Sequence, residues 1–535
     1  MKKLLFIIFF SELFCLSVNA QQYIPLDNSY YNKLYQYSIS HKTPFFPSLK
    51  PLTTQELDES FNLNEILYDE SKMAGYSDKY IWRKLFKEIF IKWEKGNYRV
   101  TINPLFNFEV GREFKNGKNT WVNTRAVSVS GNITPKLFFN SEIYENQAVL
   151  PNWLDEFSRE QKVIPGQGGY KFYKNGKGFD FSSSSGYVSY NPIKEINFTL
   201  GYGKNFIGDG YRSLLLSDIG FSYPYLRVSA QVNKFKYTAL YAQMTEKDDF
   251  GADNRAFGFD RKWITMHYAQ VMLWDRLELG LWDAVVFENS DTLKNRRGFD
   301  VAYLNPVIFL RPQEFAIGSP DNMLIGATFN LRINNMFNTY GQLLLDEFKA
   351  KELFSSSGWW ANKYGIQLGV AGWNLFKVNN LHARLEYNQV RPYTYSHWAS
   401  IQGYSHYAQP LAHPLGANFR EGIAMASYKK ENWIIKAKVN IAQYGLDTNK
   451  TSFGKDVFKS YDLRPEDYNH KIGQGLKTDL IMTDFSIAYL LNRYTNMRFE
   501  LGVITRNEKN TKFTKESAFV YFGFKTGLRN LYYDF

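Results

Sequence analysis

The sequence predicts an all-β fold, a large transmembrane antiparallel β-barrel, from its strand patterning and from both ends of the chain. Three segments place Arg-x-Glu in an alternating apolar frame: Arg276-Leu277-Glu278-Leu279-Gly280-Leu281, Arg384-Leu385-Glu386-Tyr387 and Arg498-Phe499-Glu500-Leu501-Gly502-Val503. Strand side chains alternate faces, so Leu277, Leu279 and Leu281 share one face while Arg276 and Glu278 share the other. One such strand would suit a soluble sheet equally well. Its recurrence, with opposite charges together on the polar face, points to a greasy exterior and an ionic lumen.

The chain starts with Lys2 and Lys3, an apolar run from Leu4 to Phe10, a Ser11-Glu12 break, and Leu13 to Val18. Val18-Asn19-Ala20 closes the pattern of a signal peptide over residues 1–20, which would leave Gln21 as the first mature residue. Cys15 is the only cysteine, and Phe14 before it does not suit lipoprotein processing. The mature chain would therefore have no disulfide and no thiolate chemistry. The other end, Leu531-Tyr532-Tyr533-Asp534-Phe535, resembles the terminal-phenylalanine signal read by the barrel-assembly machinery. On that reading Leu531, Tyr533 and Phe535 share one face of the last strand.

Composition agrees with this. Aromatic residues make up 18% of the chain, with 38 Tyr and 44 Phe, and such residues gather where a protein crosses the two water–lipid boundaries. A secreted β-sandwich or propeller with an aromatic core is the alternative. No stretch after the leader approaches the roughly 18 consecutive apolar residues of a spanning helix. The formal net charge of +12 would attract acidic lipopolysaccharide or capsule at an outer membrane, a compartment that leaves nucleic acid out.

Residues 21–97 read differently from the rest. Thr53-Thr54-Gln55-Glu56-Leu57 suggests a helix start, and Lys84 to Trp93 carries Leu85, Phe86, Ile89 and Phe90 at helical spacing. The segment is expected below the barrel in the periplasm or tucked into its lumen, and not against lipid, where irregular charged backbone could not be satisfied. Residues 98–535, at roughly 24 per strand and loop, suggest about 18 strands. Clear alternation runs through Tyr98–Phe106, Phe138–Tyr144, Tyr237–Gln243, Tyr340–Asp346 and Trp433–Tyr444. Gly166–Gly178, Asp248–Phe257 and Thr448–Gly475 read as loops.

No motif carries a catalytic signature. The glycine cluster Gly201 to Ser213 fits neither a dinucleotide fingerprint nor a P-loop. It reads as a sharp strand–turn in which Asp209 and Arg212 pair or hold a polar ligand. His397, His406 and His413 fall close together without a diagnostic metal spacing, so loop packing is the favoured role and no metal or cofactor is expected. Trp359, Trp360 and Trp398, beside Asn362 and Arg391, suit a carbohydrate-stacking surface, although an aromatic girdle at the membrane boundary explains them more simply. The charge pairs Arg276/Glu278, Arg384/Glu386 and Arg498/Glu500 are expected to line the lumen, their carboxylates held ionised for salt bridging.

Several segments resemble a Bacteroidetes outer-membrane family that is similar to the gliding-motility protein RemB and, more distantly, to the capsule-assembly lectin Wzi. They include Tyr144-Glu145-Asn146-Gln147, Val163 to Gly168, Ile207 to Asp218 and Leu343 to Phe348. Arg391-Pro392-Tyr393-Thr394-Tyr395-Ser396-His397 and Leu411 to Asn418 complete the set. The resemblance spans roughly residues 144–418. It implies a surface barrel that works with polysaccharide or adhesion machinery. The candidate ligand-binding residues are Asp209, Arg212, Trp359, Trp360, Arg391, Tyr393, His397, Trp398, His413 and Asn418. A non-enzymatic barrel that binds or organises surface polysaccharide is the leading expectation, with support of gliding or adhesion as its finer form. A porin or selective channel is the alternative.

Overall fold

The computed structural model describes residues 22–57, 61, 63–68, 79–96, 98–246, 259–289, 298–306, 308, 321–347, 349–353, 357–448 and 450–535. The expected leader and the expected loop Asp248–Phe257 lie outside the described residues. Eighteen antiparallel strands close into one barrel. They begin with β1 (Tyr98–Glu113), β2 (Asn119–Thr134), β3 (Leu137–Val149), β4 (Gly178–Ile193), β5 (Ile196–Gly203) and β6 (Tyr223–Val232). There follow β7 (Phe235–Thr245), β8 (Arg261–Leu273), β9 (Leu277–Glu288), β10 (Asn322–Arg332), β11 (Phe337–Leu345) and β12 (Tyr364–Trp373). The wall ends with β13 (Leu381–Val390), β14 (Phe419–Lys430), β15 (Trp433–Leu446), β16 (Leu476–Asn492), β17 (Met497–Lys509) and β18 (Thr514–Lys525).

Each strand pairs with the next, and β18 closes on β1 from Phe519↔Glu113 to Lys525↔Asn107. The connections 135–136, 194–195, 233–234 and 431–432 are two-residue turns at one rim. The long connections 150–177, 204–222, 391–418 and 447–475 all leave the other rim. Barrels of this kind carry short turns on the periplasmic side and long loops outside, which orients the molecule. All five strands expected from alternation are present. In β15, Trp433, Val439 and Ile441 are exposed to the outside while Asn440, Ala442 and Tyr444 are buried inside.

The greasy outer belt includes Leu200, Leu281, Leu385, Phe485, Leu501 and Phe522, all exposed. Closure satisfies every ladder without leaving an edge in hydrocarbon. The protein is an outer-membrane β-barrel. Inside, lumen glycines make room for tyrosines of the neighbouring strand: a Cβ at Gly369 would lie 2.2 Å from the Tyr340 ring, and one at Gly502 2.4 Å from that of Tyr521.

The lumen is filled by the chain itself. Helix α1 (Asn28–His41), capped by the Asp27 carboxylate on the Ser29 amide, packs Leu34, Tyr35 and Ile39 with Tyr340 and Trp373 of the wall. Leu49 and Lys50 then pair with Ile207 and Phe206, so the N-terminal segment and the inward loop 204–222 are zipped together inside the barrel. The expected helix start at Thr53 is a single 3-10 turn, Thr54–Glu56, with a capping box.

Two expectations need correction. The helical pattern of Lys84 to Trp93 splits into a short helix α2 (Tyr80–Phe86) and a strand, Ile91–Lys95, paired with the start of β1 from Ile91↔Ile102 to Lys95↔Tyr98. Ile91 and Trp93 share the outer face with Ile102 and Val100, so part of the N-terminal segment does sit on the lipid-facing side. The reason is the seam: β18 stops opposite Asn107, and the lower part of β1 would otherwise present open ladder groups to hydrocarbon.

The second correction concerns the C-terminus. Residues 526–535 are not in the last strand and do not place Phe535 on the wall. They leave β18 at the periplasmic rim and thread the lumen upward. Asn530 bonds Asp218 of the inward loop, Asp534 meets Arg212, and Phe535 packs against Phe157 with ring centroids 4.6 Å apart and the rings tilted by 60°. Phe157 belongs to helix α3 (Asn152–Gln161) of the outer loop 150–177, and Trp153 of that helix donates to the Tyr533 carbonyl at 2.9 Å.

Candidate functional site

Three regions of the molecule collect polar chemistry. The first is a fully buried ionic knot in the middle of the lumen. Arg212 lies 3.2 Å from Glu421 and 3.3 Å from Asp534, and Lys438 reaches the other Asp534 oxygen at 3.0 Å. His413 Nε2 sits 2.7 Å from Glu421. Burial alone would raise the Asp534 carboxyl, but Arg212 and Lys438 outweigh it and hold it below the usual range. Burial also lowers His413, against the pull of Glu421.

Asp209 and Arg212, expected either to pair or to hold a polar ligand, do not pair with each other. The Asp209 carboxylate accepts from Ser48, at 2.6 Å, and from Tyr35. The expected charge pairs behave differently from one another. Arg498 does bond Glu500 inside the lumen, at 2.7 Å. Glu386 accepts instead from Tyr340 and the Tyr211 and Arg212 amides, while Arg384 donates to the Asp209 carbonyl at 2.9 Å. Arg276 lies in the exposed turn before β9, and Glu278 takes the Gln270 amide at 2.7 Å. Alternation put Arg384, Glu386, Glu278, Arg498 and Glu500 on the polar face, but the inward loop 204–222 supplied partners for Arg384 and Glu386, and Gln270 of the wall the partner of Glu278.

The second region is an aromatic and basic cluster on the extracellular side, where residues 357–363, 391–418 and 450–475 meet. Trp360 packs against Tyr461 at 4.6 Å with the rings tilted by 42° and the Arg464 guanidinium 4.1 Å over its ring, and Trp359 adjoins Trp360. Lys363 covers the Tyr461 ring at 4.5 Å. Arg391 donates to the Trp359 and His470 carbonyls, and Tyr393 bonds the Ser452 carbonyl at 3.0 Å. Asn418 ties Gly445 and Gln474, and His397 lies beside Trp398, which is 48% exposed. Burial, with Lys363 nearby, lowers His397 to about 3, so it is neutral at physiological pH. Seven of the ten candidate residues thus come together here; Arg212 and His413 belong to the buried knot, and Asp209 bonds Ser48 and Tyr35 apart from it. No cluster of three or more metal-ligating side chains occurs among the described residues.

The third region was not foreseen. A cavity of about 960 Å³ lies between the inner wall of β1–β6 on one side and the N-terminal segment and C-terminal tail on the other. Its wall is mostly hydroxyl and amide: Thr101 and Asn103 on β1, Ser128, Ser130 and Asn132 on β2, Asn140 and Glu142 on β3, Ser185 and Tyr187 on β4, and Tyr225 on β6. Lys84, Lys87, Lys92 and Arg99 stand at its periplasmic rim, and Lys204 and Arg529 lie at its far end. Lys204 donates to the Gly166 and Asp218 carbonyls, at 2.9 and 3.1 Å. Burial, only partly offset by Asp218, lowers it to about 7. Arg529 bonds Ser183 and Gln167 and lies 3.7 Å over the Tyr144 ring. The sequence signal for this wall was its small polar residues at period two in β1–β3 and the run Ser182 to Ser185, a pattern that marks a lumen face but not a void.

No family model matches the chain, and no curated protein matches it in sequence. Among solved structures the chain is similar to Wzi of Escherichia coli, described as an outer-membrane protein involved in group 1 capsule assembly and a carbohydrate-binding β-barrel. That likeness covers 95% of this chain and 100% of Wzi at a TM-score of 0.54 and 13% identity. The Pseudomonas aeruginosa proteins OpdK and OprD also align, each over 79% of this chain at 9% identity. They are covered over 98% and 94% of their own lengths, with TM-scores of 0.43 and 0.41. What the chain shares with Wzi is the fold, a large closed β-barrel.

Proposed function

We propose that this barrel is not an enzyme and not an open pore, but binds or organises surface polysaccharide at the outer membrane. One observation carries the reading: the chain spends its N-terminal segment, two inward loops and its C-terminal tail on filling the lumen, while the extracellular side holds the Trp360–Tyr461–Arg464 cluster. A diffusion pore needs an open channel, whereas a binding barrel gains rigidity from a packed interior. Aromatic faces flanked by guanidinium and ammonium groups suit the apolar faces of sugar rings and the acid groups of capsule or lipopolysaccharide. The carbohydrate-binding description of Wzi, on the same fold, supports the ligand class. A part in gliding or adhesion is the finer form of this reading, supported by the segments that resemble the RemB family.

A glycan array on the detergent-purified protein tests it, with Trp360→Ala and Arg464→Ala alongside. Binding of a surface-type polysaccharide that drops at least tenfold in both variants is the expected result. Stable conductance steps from the unaltered protein in a planar bilayer, with no glycan retained, would overturn the reading in favour of a channel.

A further inference from the structure

We infer that the cavity along β1–β6 is a second glycan site, reached from the periplasm, that takes a carboxylated oligosaccharide. The inference rests on the polysaccharide reading for its ligand class, but on different residues and on the opposite side of the membrane.

The lumen is built asymmetrically. Along β7–β15 the inward side chains meet a dry core in which Leu214, Leu215, Trp282 and Tyr404 are fully buried. Along β1–β6 the same inward positions carry serine, threonine, asparagine and tyrosine, and they face space. On its barrel side the void offers many weak, short-range donors and acceptors, while Ile24, Leu26, Phe138 and Leu528 add apolar patches, a mixture that suits the hydroxyls and ring faces of a sugar. The volume, about 960 Å³, is near the top of the range typical of ligand sites, about 300–1,000 Å³.

The charges select an acid. At the rim Arg99 and Lys92 share Glu94 and Lys84 pairs with Glu88, and the lining as a whole, Lys84, Lys87, Lys92, Arg99, Lys204 and Arg529 against Glu88 and Glu142, holds more cations than carboxylates. The far end holds Lys204 and Arg529, against Glu142 on the wall. Such an arrangement draws an anion in through a low-dielectric corridor and holds it at the closed end. The mouth lies at the rim of the short turns, beside α2 and the strand Ile91–Lys95, so the approach is from the periplasm.

The probes are a hexamer of polymannuronate, which carries a carboxylate on every ring, and maltohexaose as its neutral counterpart. Calorimetry on the detergent-purified full chain should give binding of the acidic hexamer at least tenfold tighter than the neutral one. Ser130→Trp, which fills the void, should abolish it. Arg99→Glu should weaken it about tenfold, while Trp360→Ala leaves it unchanged. Because a tryptophan inside a barrel can disturb folding, Ser130→Cys provides a second measurement: a maleimide should label it in the free protein, and the acidic hexamer should protect it. Equal affinity for both hexamers, no protection of Ser130→Cys, or acid binding that survives Ser130→Trp would overturn the inference. Surface-glycan binding lost in Trp360→Ala while the hexamer is never bound would leave the proposed function standing and remove this one alone.

Discussion

Arg212 Nη1 lies 3.3 Å from Asp534 Oδ1, and both side chains are fully buried. The contact joins the inward loop 204–222 to the penultimate residue of the chain. Neither group can be removed without leaving the others of the knot charged in a dry lumen. Breaking a buried pair by deleting one partner typically costs about 3–5 kcal/mol, much of it from the stranded charge. Arg212→Met should therefore lower the urea midpoint of the refolded barrel by an amount equivalent to about 3 kcal/mol, followed by tryptophan fluorescence. Asp534→Asn should cost less, because Lys438 still has Asp484 within 3.7 Å.

The tail also acts as part of the plug. Removing residues 527–535 takes Asp534, Phe535 and Arg529 out of the lumen without touching the ladder of β18, which ends at Lys525. The truncated protein is expected to show conductance steps in planar bilayers that the full chain lacks. A truncated barrel as electrically silent as its parent would show that the loops and α1 suffice to seal it.

Lys204 makes the far end of the cavity pH-sensitive. Burial lowers its pKa from the ordinary 10.5 to about 7 in the folded protein. Between those values the unfolded chain holds a proton that the folded one has lost, so this group makes stability rise with pH from about 7 to about 10.5. Below about 7 the ammonium is present in both states and the contribution is flat. Binding of an acidic hexamer should follow the opposite course, falling as pH rises through 7 and the local charge disappears. Lys204→Met should flatten the stability profile between about pH 7 and 10.5 and the binding profile around pH 7.

A polar pair sits on the outside of the wall. His267 Nδ1 lies 3.1 Å from Asp283 Oδ1, and both residues are on outward positions of β8 and β9, yet neither is exposed. The turn Val301–Leu304 is laid over this part of the wall, with Phe299 against Trp263 and Tyr303 against Phe287 at 4.6 Å. Tyr303→Ala should release this cover. Large-to-small changes at buried aromatics cost about 3–5 kcal/mol where the site cannot collapse, and here the loss should appear as faster proteolysis within 298–306, with the barrel itself intact.

The glycine–tyrosine contacts give a last expectation. Gly369→Ala would bring a methyl group to 2.2 Å from the Tyr340 ring, whose hydroxyl donates to Glu386 at 2.8 Å. The ring would have to move and release a buried carboxylate. The variant should unfold at lower urea than the parent, whereas Gly422→Ala, which meets nothing within 4 Å, should not.

Much of the architecture was legible in the sequence because strand alternation is a local property. Trp433, Ile435 and Ile441 against Lys438 and Asn440 declare two faces whatever lies around them. The greasy exterior and the polar lumen follow from that pattern repeated, and the count of strands from the length of residues 98–535 at roughly 24 per strand and loop. The loop residues Trp360, Arg391, Tyr393 and Asn418 could be picked out as polar and aromatic punctuation, but not as neighbours.

What only the tertiary structure decided is which segments fill the barrel. The tail that ends in Phe535 reads as a strand, yet it threads the lumen because Arg212, Lys438 and helix α3 compete successfully for its polar and aromatic groups. Ile91 and Trp93 read as helix, yet they serve the wall because β1 outruns β18. His267 and Asp283 sit on lipid-facing positions, where alternation alone forbids them, because a distant loop returns to cover them. In each case the deciding partner is tens to hundreds of residues away, and a periodicity of two carries no information at that range.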